Sequence, residues 1–183
     1  MIEKAQRKLR EARFFYNHLL NARRDLPEMA PRRSKDDPEA FRFYFSAFIQ
    51  SARSVPWAIG KEEPDKWNEW KRKWEDSLSE KERKLQELTN ELRLDEVHRG
   101  GADLAEELVE VVVKAAIDTK PRTHWERDGL VGGSASIEIV TKNELRPTYY
   151  FEDSEGKEET TAFCERYLTF LEKTVTDFIR DNG

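Results

Sequence analysis

The most apolar part of the chain is the segment FRFYFSAFIQSARSV, residues 41–55. Its apolar side chains cover more than one face of a helix, which is typical of a helix that is buried on several sides. Asp37-Pro38-Glu39 precedes it as a strong helix start, because Asp accepts hydrogen bonds from free first-turn amides and Pro suits the first helical position. Pro56 is expected to kink or end this helix. We therefore expect the other helices to pack around it.

Four further stretches carry apolar residues at helical spacing. The first is a long basic amphipathic helix that Pro27 ends. The second begins at Pro64 and carries a stripe of tryptophans, which we interpret as core because its spacing matches one helix face; a base-stacking platform is the alternative. Ser77 with Glu80, and Ser79 with Glu82, have capping-box spacing and predict a break before a fourth helix. The last stripe comprises Ala162, Phe163, Tyr167, Phe170, Leu171, Val175, Phe178 and Ile179.

The sequence between the fourth and the last helical pattern differs in composition, since it contains β-branched residues and glycine turns. Three consecutive valines within Leu108–Ile117 favour a strand, because β-branched side chains lose freedom in a helical turn. Asp103 and Glu106 also have capping-box spacing, so a helix is the alternative here. Glycine turns and the alternating residues 136–141, followed by an extended run at 148–152, predict a small antiparallel meander.

These patterns predict a mainly α (α+β) fold in a single domain, residues 1–183. Residues 1–101 and 157–182 are expected to form an antiparallel helical bundle. A β-rich insertion at about residues 105–153 precedes the C-terminal helix.

Charge and composition limit the classes of partner and compartment. Charged residues make up 38% of the 183 residues, which suits exposed helix faces. Residues 1–35 hold 10 Lys+Arg against 4 Asp+Glu, and the remainder holds 22 against 33. This basic N-terminal segment can attract phosphates regardless of sequence; the alternative is a solvated face that pairs with the acidic remainder. We expect no membrane association, since no apolar run is long enough to span a bilayer. A cytoplasmic location is expected because the start of the chain lacks the apolar stretch of a signal peptide and there is a single cysteine. We assign that cysteine, Cys164, to the core.

Arg93 and His98 form the candidate chemical site, next to the helix-ending pair Gly100-Gly101. An Arg binds a phosphodiester through its planar fork, and a His near neutral pH gives or takes a proton during attack by a ribose 2′-hydroxyl. On one continuous helix the two positions are about 140° apart. They converge only if His98 lies beyond the last turn or a second subunit completes the site. No zinc, Walker or hydrolase-elbow pattern occurs, so no metal or cofactor is expected.

Three pieces of the chain carry a family resemblance: Phe41 to Phe48, Ala52-Arg53-Ser54-Val55, and Glu91-Leu92-Arg93 to His98. They resemble the HEPN superfamily, α-helical bundles that commonly dimerise and carry an Arg followed four to six residues later by His. The resemblance covers approximately residues 1–101 and the terminal helix. It implies that Arg93 stabilises phosphate and that His98 acts as acid or base. Arg99 and Arg53 are the candidate phosphate-binding residues; Arg53 is a charge on a largely apolar helix, and such a charge needs a partner.

The same resemblance implies a homodimer that binds RNA or nucleotide phosphate, with metal-independent ribonuclease activity of a defence or toxin–antitoxin type. Leu94 departs from the pattern, because active members typically have Asn, Asp or His just after the Arg. This favours the alternative of a non-catalytic homodimeric module that binds a partner protein. A further alternative is that Arg93 and His98 only cap the helix or pair with Asp95 and Glu96.

Overall fold

The fold is taken from a computed structural model, which describes residues 2–23, 38–98, 104–118, 125–127, 130–132, 137–153 and 156–183. Within these ranges the chain is mainly helical, with small antiparallel strand pairings. The helices are α1 (Glu3–Arg23), α2 (Pro38–Glu62), α3 (Pro64–Ser77), α4 (Glu80–His98) and α5 (Thr160–Asn182). The strands are β1 (Ala105–Asp118), β2 (Trp125–Arg127), β3 (Leu130–Gly132), β4 (Ile137–Asp153) and β5 (Gly156–Glu159).

Helix α2 is the central element, as its aromatic sequence predicts. It contacts α1, α3, α4 and α5, and its inward side chains Phe41, Phe45, Phe48, Ile49, Ala52, Val55 and Ile59 are buried. Pro56 is expected to kink or end this helix; it does not end it, since α2 continues to Glu62, and the kink stays a prediction. The buried side chains of Ala58 and Ile59 explain the continuation, because their packing offsets the hydrogen bond that Pro56 cannot donate.

Helix α1 lies antiparallel to α2. The Glu62 carboxylate at the end of α2 accepts hydrogen bonds from the amides of Lys4 (2.9 Å) and Ala5 (3.1 Å). A carboxylate at this position satisfies free first-turn amides and meets the positive end of the helix dipole. Farther along, Tyr16 packs on Phe48. Pro27, the predicted stop of this helix, lies outside the described residues.

The tryptophan stripe of α3 packs into the core, which confirms that interpretation. Trp67, Trp70 and Trp74 are each less than a tenth exposed and contact one another with ring centroids 5.5–6.0 Å apart. Phe178 of α5 meets Trp67 and Trp70 edge-on, and the Trp70 indole N–H donates to Asp181. The rings therefore join α3 to α5 and leave no stacking platform on that face.

Helix α4 begins with the predicted capping box at Ser79 and Glu82. The Glu82 carboxylate accepts a hydrogen bond from the Ser79 amide (2.8 Å), and the Ser79 hydroxyl accepts one from the Glu82 amide (3.3 Å). The other candidate, Ser77, donates its hydroxyl to the Trp74 carbonyl, so it belongs to the end of α3. Leu92 is buried, and Leu85 and Leu88 pack against the core as expected.

The ambiguous stretch after α4 is a strand, β1. One sheet has the order β1-β4-β5, in which β4 and β5 are antiparallel, and a second sheet pairs β2 with β3. The C-terminal part of β4 packs on the helices, since Tyr149 stacks on Phe41 and Phe151 meets Phe163 of α5. Because β5 extends to Glu159, the C-terminal helix begins at Thr160 instead of residue 157.

The chain divides into two compact units, residues 1–107 with 147–183, and residues 108–146. The first contains the helices and the second is an insertion in its sequence that contains the β2–β3 pair. A single domain over residues 1–183 stays a prediction. The described helices include none that is long and apolar enough to cross a membrane.

Candidate functional site

The candidate site lies where α2 meets α4, at Arg53. This residue follows the buried Ala52 and is itself half-buried at the edge of the core. Its Nε–H donates a hydrogen bond of 2.9 Å to Oδ1 of Asn90 on α4. A guanidinium has five N–H donors, and this bond uses the inner one. The outer amino groups therefore keep their capacity to bind a planar anion in bidentate fashion.

Arg93 brings a second positive charge to Arg53. It lies one turn after Asn90 on α4 and is also half-buried. Burial lowers the pKa of Arg53, and the neighbouring Arg93 cation lowers it further. Among the described side chains, no carboxylate forms an ion pair with either Arg. Two neighbouring cations create a positive potential that favours an anion.

A buried polar pair lies beneath the arginines. Tyr167 of α5 shares a side-chain hydrogen bond with Thr89, whose hydroxyl donates to the Leu85 carbonyl at 2.7 Å. Burial raises the pKa of Tyr167 to about 12, while Thr89 and the Arg53 cation act in the opposite direction. The phenol therefore stays neutral and fixes α5 against α4 under Arg53.

Arg42 is aligned with Arg53 on α2 but has a different role. The two residues are 11 positions apart, which places them on nearly the same helix face. Arg42 donates to the carbonyl of Leu104 at 3.1 Å, the first residue described after α4. Its charge therefore helps hold the start of β1 instead of completing the arginine pair.

The predicted site residues are only partly brought together. Arg93 and Arg53 are neighbours, whereas Arg99 lies outside the described residues. His98 is the last residue of α4, and its side chain also lies outside the description. Since α4 is continuous from Glu80 to His98, the positions of Arg93 and His98 are about 140° apart around its axis. Their direct convergence within one chain is therefore not favoured by the helix geometry.

Sequence reasoning missed the residues that orient the pair. Asn90 precedes Arg93 by three positions, a spacing that places both on adjacent parts of one helix face. Tyr167 was recognised only as an apolar-stripe residue, and Thr89 carried no signal. The contact of Arg53 with Asn90 spans 37 positions, so only the packing of α2 on α4 reveals it.

A separate cavity lies between α4, β5 and α5. Its volume is about 950 Å³, and six acidic and five basic side chains line it. Lys173 pairs with Glu82 at 2.7 Å, and Arg166 pairs with Glu158. Because these opposite charges largely compensate each other, the cavity has little electrostatic preference for phosphate. Among the described side chains, no three potential metal ligands come together.

Comparisons with protein-family models, with curated protein sequences and with solved structures find no match to this chain. The HEPN resemblance therefore rests on the residues quoted for it.

Proposed function

We propose that this chain is a HEPN-like protein that binds RNA or nucleotide phosphate through Arg53 and Arg93. The observation that carries the proposal is the juxtaposition of these two arginines, one of them oriented by Asn90. A phosphodiester would accept hydrogen bonds from the outer amino groups of Arg53 and charge stabilisation from Arg93. Binding would also relieve the repulsion between the two cations, since the anion has a charge opposite to both.

Metal-independent ribonuclease activity is the catalytic form of this proposal. Arg93 would stabilise the charge that develops on the phosphate, and His98 would exchange a proton with the attacking or leaving oxygen. Because α4 keeps Arg93 and His98 about 140° apart, the His98 that completes the site would come from a second copy of the chain.

The test is RNA binding and cleavage in EDTA with an unstructured RNA. We expect Arg53→Ala and Arg93→Ala to weaken binding, and His98→Ala to retain binding and abolish cleavage. Arg72→Ala is the matched control, because Arg72 is an exposed cation of α3. Binding that both site variants retain would contradict the phosphate site. Absence of cleavage with binding intact would contradict only the catalytic form.

A non-catalytic homodimeric module that binds a partner protein is the second candidate. Phe43 and Trp57 of α2 are 67% and 65% exposed, and they are 14 positions apart on nearly the same helix face. Large exposed apolar side chains aligned in this way are typical of protein interfaces. Stable dimerisation together with no RNA binding, even at low salt, would favour this candidate over the first.

A further inference from the structure

An aromatic surface joins α1 to α2. The Phe14 ring is 55% exposed and meets the His18 ring edge-on at 4.4 Å between centroids. His18 in turn stacks on Tyr44 of α2, with the centroids 4.8 Å apart. We call Phe14, His18 and Tyr44 the aromatic ladder. His18 and Tyr44 are half-buried, so Phe14 presents the most accessible ring of the three.

Exposed cations precede Phe14 on the same helix. Arg10 lies one turn and Arg7 two turns before it, so Arg7 and Phe14 share nearly the same face about 10 Å apart. Arg13 pairs with Glu172, and Lys8 pairs with Glu11 at 2.6 Å. By contrast, Arg7 and Arg10 form no ion pair with a carboxylate among the described side chains. Their charges are therefore accessible to a ligand.

The charge of α1 favours an anionic ligand. This helix holds six Lys+Arg and two Asp+Glu, a balance of +4, whereas the whole chain has a net charge of −5. Arginine and aromatic side chains are both enriched in protein interfaces, so their presence alone does not identify the ligand. The positive charge of this helix favours an anion, and an exposed aromatic ring beside arginines is a combination that binds single-stranded nucleic acid, in which bases stack and phosphates meet cations.

We propose that the aromatic ladder with Arg7 and Arg10 binds single-stranded RNA. A base stacks on Phe14, and neighbouring backbone phosphates contact the two arginines. A duplex is excluded from this mode because its bases are already stacked on each other and cannot reach the ring. The inference rests on the proposed RNA binding and adds the strand type and a second contact surface.

This surface is separate from the arginine pair. Tyr44 and Arg53 are nine positions apart on α2, which places them on opposite faces and about 13 Å apart along the axis. Substitutions at the aromatic ladder therefore leave the Arg53–Asn90 contact in place. The two sites can be tested independently in one assay.

The experiment titrates a fluorescent oligouridine of about 12 nucleotides, and a duplex of equal length, with the full chain. We expect Phe14→Ala and Phe14→Leu each to weaken oligouridine binding at least about fivefold, and Phe14→Tyr to retain it. Phe43→Ala is the matched control for loss of an exposed phenyl ring. Arg7→Ala with Arg10→Ala is expected to reduce the slope of log K against log salt concentration by about 1.4.

Binding within twofold of the unsubstituted chain for Phe14→Ala would overturn the inference, as would equal affinity for the duplex. If Phe14→Leu fully retained oligouridine affinity, an apolar contact would suffice in place of an aromatic ring. This result would also overturn the inference. If the Arg53 and Arg93 variants lose binding while Phe14 variants do not, only this inference fails. If Phe14 variants lose binding while the arginine variants do not, the proposed phosphate site fails. No binding by the unsubstituted chain overturns both.

Discussion

Arg93 on α4 lies close enough to Arg53 on α2 for its charge to lower the pKa of Arg53, an effect second only to burial. The fold thus holds two like charges together at the edge of the core, and Asn90 fixes the direction of one of them. Such an arrangement costs free energy in the absence of an anion, which is the reason to expect that it serves binding.

Asn90→Ala tests whether the orientation of Arg53 matters. Asn90 is exposed, so we expect little change in the free energy of unfolding but a loss of about fivefold in RNA affinity, corresponding to roughly one hydrogen bond. Binding titration and urea unfolding of the same samples separate the two effects. Asn68→Ala, at an exposed position of α3, is the control.

In an Arg53→Lys background the effect of Asn90→Ala on RNA affinity is expected to disappear. Lysine lacks the guanidinium Nε–H that donates to Asn90, so this hydrogen bond is already absent. An equal loss in both backgrounds would show that Asn90 does not act through Arg53.

Gly60→Ala is expected to destabilise the chain. An added Cβ at Gly60 would lie 2.7 Å from Cδ1 of Trp67, whose ring is confined by Trp70, Trp74 and Phe178. Overpacking of this kind costs about 1–3 kcal/mol, against a gain of about 1 kcal/mol in helix propensity. Urea unfolding gives the net change. An increase in stability would mean that the tryptophan cluster yields to the methyl group.

The pH dependence of stability includes a contribution from Glu82. Hydrogen bonds from Lys173 and Ser79 lower its pKa to about 2, from an ordinary value of 4.5. A lowered pKa in the folded state stabilises the chain above the unfolded value, and this stabilisation is lost as pH falls from about 4.5 to about 2. Urea midpoints of the unsubstituted chain and Glu82→Gln should therefore differ at pH 6 and converge near pH 2. An equal difference between the two chains at pH 6 and at pH 2 would contradict this contribution.

Tyr167 is expected to ionise, in the folded chain, only at a pH well above the ordinary range of a tyrosine. Its pKa of about 12, raised by burial, means that the neutral phenol stabilises the fold below pH 10 and that this contribution is lost as pH rises through about 12. Ultraviolet titration should lose an ionisation phase near pH 12 in Tyr167→Phe. A titration unchanged by this substitution would contradict the burial of the hydroxyl.

Local chemistry explains which features the sequence could predict. The capping box of Ser79 and Glu82 and the tryptophan stripe depend on residues within one or two turns, so their spacing was sufficient. The continuation of α2 beyond Pro56 depends on tertiary burial of Ala58 and Ile59, which spacing does not encode. Ile179 matched the apolar stripe of α5 and yet is 42% exposed, because the stripe is wider than the surface that covers it.

The candidate site also combines features that the sequence predicts with features that depend on tertiary packing. The sequence singled out Arg93 through a motif and Arg53 as a charge on an apolar helix, but their proximity requires α2 to pack on α4. Asn90 and Thr89 carry no motif, and their roles follow only from their contacts with Arg53 and Tyr167. Strand β1 was one of two alternatives for its sequence, and its place beside β4 in a sheet decides between them.

The central claim is that Arg53 and Arg93 bind the same phosphate, and a double-mutant cycle on RNA affinity tests it most directly. We expect Arg53→Ala and Arg93→Ala each to weaken binding, and the double variant to lose less than the product of the single losses, with a coupling free energy of at least about 0.5 kcal/mol. The control cycle of Arg53→Ala with Arg72→Ala should show no coupling. Unchanged affinity in the single variants, or losses that multiply fully in the double variant, would contradict the claim.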